Sequence, residues 1–278
     1  MKKLIYGASL LTIIGSIIFG CQKESLDIQP VSKNSQSEEI ISTIRMIGTE
    51  HNAGLDAIYN HLLVTNESES LSKLKLEEIL NITKEGAANF FESNKNEMIR
   101  NSDGKSFYNE KVNIAISNKE PLYNSKSSYH FLSKEDFDKL SDNQKEYLVE
   151  IENSINENDF ELTIESLKNI ESKAILNLSA DESIIIITAV EVGINSFTYW
   201  HENLDKWNEL LGNKSKAAFS WGSVGKSDVA GAVGGAVGAA VVNVIPGAGQ
   251  VGYVGAIAGG AIGNSAVDAV GQLLDSWF

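Results

Sequence analysis

The chain has 278 residues, 37 acidic and 23 basic side chains, and a formal charge of -14. That length allows one large domain or two small ones with a sizeable core, and 42% apolar residues rules out a wholly disordered chain. The acidic balance argues against a nucleic-acid partner, and a single cysteine excludes a disulfide framework and any multi-cysteine zinc or iron–sulfur site.

Met1-Lys2-Lys3 is a short basic region, followed by uncharged, mostly apolar residues 4–20 and then Cys21, the chain's one cysteine. This is the layout of a secretory signal peptide over residues 1–20. The alternative is an uncleaved anchor helix with a bystander cysteine. Ile18-Phe19-Gly20-Cys21 resembles the lipobox of bacterial lipoproteins, in which a small residue precedes a cysteine that becomes acylated. Phe19 departs from the commoner small residue at its position. Gln22-Lys23-Glu24-Ser25 is similar to the export signal of Bacteroidetes-type surface lipoproteins and lacks the aspartate that retains many lipoproteins at the inner membrane. The resemblance implies lipidation of Cys21, a partner in membrane lipid, and a place in the cell envelope, at the outer membrane and its surface. Each buried methylene of an acyl chain would contribute about 0.8 kcal/mol to that anchoring.

Residues 22–37 are polar, include Pro30 and show no apolar period, so they read as a flexible tether. Helical periodicity then takes over, and the fold class expected is all-α, a helical bundle over residues 38–212. Ile40, Ile41, Ile44, Ile47, Gly48, His51, Leu55, Ile58 and Leu62 share one face of a helix over 38–64. A second helical pattern covers about 71–99, whereas 101–131, rich in Asn, Ser, Lys and Tyr, reads as loop with short pieces of structure. Ser133 is a plausible cap for a helix carrying Phe137, Leu140, Leu148, Ile151 and Ile155, and another helix covers about 158–178. The strongest pattern is 180–211, opened by the capping-box spacing Ser179…Glu182. There Ile186, Val190, Gly193, Phe197, Trp200, Leu204, Trp207 and Leu211 alternate steps of three and four. At 1.5 Å per residue this helix would be about 48 Å long and central to the bundle.

Chemistry-bearing motifs are sparse. The four histidines, 51, 61, 130 and 201, show no metal-ligand spacing, so no metal and no cofactor is expected. His51 reads either as a ligand or base, or as a core histidine bonded to a neighbour such as the Tyr199–Trp200 turn. Gly222-Ser223-Val224-Gly225-Lys226-Ser227 ends like a phosphate-binding loop, but Ser220 stands where the first glycine is needed. A connector over 213–228, with Ser227 or Asp228 capping the next helix, is the simpler reading. No catalytic residue is assigned, and an enzyme is not expected.

Residues 229–267 hold 39 consecutive uncharged positions, 11 of them Gly and 10 Ala, divided by Pro246-Gly247. Gly231, Gly234, Gly235 and Gly238 lie on one face of the first half. Gly252, Gly255, Gly259, Gly260 and Gly263 form a stripe in the second. Val229, Val233, Val237, Val241 and Val244 cover the face opposite the first stripe, and Val251, Tyr253, Val254, Ile257 and Ile262 lie away from the second. The pattern predicts a helical hairpin over 229–278 with glycines facing inward, Gly235 near Gly259, and branched residues outward, because small residues let helix backbones approach closely. Asp268, Asp275 and Trp277 would then lie near an interface. This segment resembles glycine-zipper membrane segments and the Gly/Ala-rich mature regions of class II bacteriocins. The resemblance implies a membrane-active hairpin on a non-enzymatic surface lipoprotein. The alternative is a structural or partner-binding lipoprotein, with an unidentified protein partner, whose hairpin docks on its own helical body.

Overall fold

The computed structural model describes residues 33–118, 132–155, 159–211, 219–240 and 248–274. The chain divides into two compact units, Met1–Gln36 and Ser37–Phe278. The first lies almost wholly outside the described residues, as do the signal-peptide reading and Cys21. The second holds all but the first turn of α1 (Lys33–Ser68), then α2 (Leu76–Ser93), α3 (Glu97–Arg100), α4 (Gly104–Asn118), α5 (Lys134–Asp138) and α6 (Asp142–Ser154). It continues with α7 (Phe160–Asn177), α8 (Ala180–Leu211), α9 (Trp221–Ala240) and α10 (Ala248–Leu273). Among the described residues there is no strand, so the all-α bundle with a long central helix stands.

Local chemistry sets the boundaries. The Ser179 hydroxyl accepts from the Glu182 N–H at 3.3 Å, while the Ser179 N–H donates to the Glu182 carboxylate at 3.4 Å; α8 thus opens on the expected capping box. The single helix expected after Ser133 is two. Ser141 starts α6 with a box of its own, its hydroxyl accepting from the Gln144 N–H and its N–H donating to Gln144 Oε1. The pattern at 71–99 also breaks up, into a 3-10 turn at Leu71–Lys73, α2 and α3. Asn94 and Asn96 interrupt it: Asn94 Oδ1 accepts from the Asn96 N–H, and Asn96 Oδ1 from the Met98 N–H, diverting both from a helical ladder.

Two expectations are corrected. The loop read over 101–131 contains α4, whose Tyr108, Val112 and Ala115 form a narrow buried stripe inside a polar composition. The connector over 213–228 is helical from Trp221, capped by Ser220, whose hydroxyl accepts from the Ser223 N–H at 2.9 Å. Gly222–Ser227 is therefore the first part of α9, and neither Ser227 nor Asp228 is a cap.

α8 is buried on nearly every side through its first two-thirds, and Phe197, Trp200 and Trp207 are wholly enclosed. Helices α6, α7 and α9 pack on it. α10 lies between α9 and α4 and is buried almost throughout from Tyr253 to Leu273. The hairpin and the preceding helices thus form one compact unit rather than a body with an appendage.

Candidate functional site

The glycine pattern and the buried polar residues meet where α9 and α10 enter the bundle. A Cβ at Gly231 would run into the Gly260 carbonyl, one at Gly260 into the Gly231 carbonyl, and one at Gly235 into the Ala256 carbonyl. The pairs 231/260 and 235/256 show that the two helices run antiparallel with their backbones touching. The second stripe has a different partner. Gly255 meets Ser102, Gly259 meets the Gly104 carbonyl, and Gly263 meets Lys111 and Tyr108, so this rail faces α4 and its approach. A Cβ at Gly234 would meet only the Asp136 carboxylate, at 3.5 Å, and one at Gly238 or Gly252 would meet nothing within 4 Å.

The two-faced hairpin is therefore corrected. Gly235 and Gly259 do not face each other, and most of the residues expected outward do not point outward: Val229, Val233, Val237, Tyr253, Val254, Ile257 and Ile262 are buried in the core, and Val251 is half-buried. α10 has two small-residue faces because it has two close helical neighbours. Asp268 is buried, not interfacial. Val241, Val244, Asp275 and Trp277 lie outside the described residues.

Beside the glycine stripes lies a wholly enclosed polar cluster built from four helices. Asp228 Oδ2, on α9, accepts from the hydroxyls of Ser196 on α8 and Ser265 on α10, the latter at 2.8 Å. Trp200 Nε1–H donates to Ser265 Oγ at 3.0 Å, and Asn264 Nδ2 donates to the Ser227 carbonyl at 2.8 Å. From α1, His51 Nε2 lies 3.3 Å from Asp228 Oδ2, and its Nδ1 pairs with Asn52 Oδ1 at 2.9 Å. Asn52 Nδ2 in turn donates to the Asn195 carbonyl. His51, Ser196, Ser265 and Asp228 are each 0% exposed. Burial pushes the Asp228 carboxyl above the usual aspartate range, against the opposing pull of His51, Ser196 and Ser265.

The core reading of His51 fits this geometry, but its partners are Asp228 and Asn52 rather than the Tyr199–Trp200 turn. Ser196, His51 and Asp228 do not form a nucleophilic triad, since the serine donates to the aspartate and not to the histidine. Two surface hollows, along Ser106–Asn118 of α4 and between Glu50 of α1 and Phe90 of α2, do not reach the cluster. Among the described residues no three His, Cys, Asp or Glu side chains are grouped to hold a metal ion. Sequence reasoning found His51 but missed Ser196, Ser265 and Asn264. Their only signal was a polar residue at a heptad-flanking or glycine-flanking position.

Among the described residues α8 is the one helix long and apolar enough to cross a membrane, and 78% of that apolar window is buried inside the bundle. A core helix passes the same test. No protein-family model matches the chain, and no curated protein or solved structure matches it.

Proposed function

We propose that this chain is a non-enzymatic, lipid-anchored envelope protein that acts by binding a partner, with its Gly/Ala-rich hairpin serving as the centre of the folded body. One observation carries this choice over a membrane-active hairpin. Every close approach of the described hairpin glycines is made within the body, to α4 and the residues just before it, to α8, or to the opposing hairpin helix. The spacing that resembles a membrane zipper thus has an occupant already. The anchor rests on the sequence around Cys21. Metabolic labelling with a fatty acid tests it, and label surviving in Cys21→Ser would reject lipidation at that residue.

A second reading keeps the hairpin membrane-active and stores it inside the bundle until release. It is favoured by the 39 uncharged residues from 229 to 267, which would bring no charged side chain into a bilayer. Dye release from anionic vesicles separates the two readings. The folded 22–278 protein should leave vesicles intact and remain in solution after centrifugation. Release at low protein-to-lipid ratio would favour the stored hairpin.

A further inference from the structure

We propose that Asp228 and His51 form a proton-held catch between the hairpin and α1, one that loosens the hairpin as the surrounding pH rises. The inference holds whether or not the hairpin ever meets a membrane. Asn52 Oδ1 can only accept, so His51 Nδ1 carries the hydrogen and donates to it. That leaves Nε2 3.3 Å from Asp228 Oδ2 and without a hydrogen-bond partner of its own. With no proton between them, a lone pair would face a carboxylate in a site closed to water. One proton turns that repulsion into a hydrogen bond, charge-assisted when the proton sits on Nε2 and neutral when it sits on the carboxyl.

The remaining neighbours cannot replace that proton. From α8 comes the Ser196 hydroxyl, and from α10 the Ser265 hydroxyl, both already donating to Oδ2. Lys226, two residues earlier on α9 and therefore on another face of the helix, is half-buried. The other buried acid of the hairpin, Asp268, lies one helical turn beyond Asn264 and adds no positive charge. His51 is thus the one titratable group facing Asp228 among the described residues. The raised Asp228 pKa has the same sign: the folded core binds a proton that the unfolded chain gives up more readily. Stability from this pair is present at low pH and is lost as pH rises through the folded value.

The test follows hydrogen exchange across residues 221–240 and 248–273 of the 22–278 protein, together with denaturant unfolding, as pH is raised. While one proton is being lost, the unfolding constant should climb by up to tenfold per pH unit. The Trp200 indole N–H signal, linked to the carboxyl through Ser265, should shift over the same range. Asp228→Asn supplies a neutral acceptor and donor of the same shape, and His51→Gln supplies an amide donor that needs no proton. Asp228→Asn should remove the transition, His51→Gln, which leaves the buried carboxyl in place, should displace it, and His51→Gln alone decides the matter if Asp228→Asn does not fold. A wild-type protein with no transition, or one that persists unchanged in His51→Gln, would overturn the proposal.

Discussion

α8 and the α9–α10 hairpin hold the same core together by opposite means. α8 contributes bulk: Phe197, Trp200 and Trp207 are enclosed, and the rings of Trp200 and Trp207 sit 5.4 Å apart, within an aromatic group that includes Tyr59, Tyr199 and Phe219. Its stabilisation scales with apolar area removed from water. The hairpin contributes almost no side-chain bulk where it matters most. At Gly231, Gly235, Gly259 and Gly260 the backbone lies against backbone, so dispersion and weak C–H···O hydrogen bonds replace buried area. A core built from large residues tolerates small shifts by repacking. One built from glycine main chain set against carbonyl groups has nothing to repack.

The largest effect separating the two should come from removing the hairpin entirely. A chain ending at Leu211 leaves Gly193, Phe197 and Trp200 without α9 and α10, and loss of a cooperative thermal transition by circular dichroism is expected. Retention of a sharp transition would mean that α8 and its other neighbours form a core alone. Next comes Trp200→Ala, which deletes an enclosed indole and its hydrogen bond to Ser265. It should cost about 3–5 kcal/mol in denaturant unfolding; a loss below about 1 kcal/mol would contradict its burial. Gly259→Leu and Gly231→Leu should each cost about 3 kcal/mol or more, above the ordinary range for overpacking because the obstruction is backbone. The same measurement on Gly238→Ala and Gly252→Ala, where a Cβ meets nothing, should show a gain of about 0.5–1 kcal/mol. Equal losses at all four glycines would erase the distinction between crowded and open positions. Smallest is Arg45→Met. Its guanidinium pairs with Glu191 at 2.9 Å and Glu171 at 3.1 Å but is 57% exposed, so a loss under about 1 kcal/mol is expected.

The sequence announced α8 in full because its seam repeats large residues at helical spacing over many turns, and Ser179 and Glu182 mark its start. α4 escaped notice because only Tyr108, Val112 and Ala115 face inward, too few to rise above a polar composition. The helical identity of the hairpin was legible, but its surroundings were not. A glycine stripe states that something approaches closely without stating what. The one stripe expected on α10 serves two neighbours: Gly260 faces α9, while Gly255, Gly259 and Gly263 face α4 and its approach. The Asp228 cluster was illegible for a related reason: its members are single polar residues on four helices, and only the assembled fold brings them within hydrogen-bond reach.

The position of α10 has a consequence for how the molecule comes into being. It is the last described helix, yet it fills the space between α4 and α9, and its Ile262 reaches Gly54 of α1. Synthesis therefore delivers α1, α4 and α8 before the helix that covers them. Until residues 248–273 emerge, α1, α4 and α8 must wait with apolar faces uncovered, a state in which chains of this size are prone to associate wrongly. Closure then joins partners far apart in sequence, a slow arrangement for a helical bundle. Any helper that acts on the nascent chain would be needed most in the interval between the emergence of Leu211 and that of Leu273.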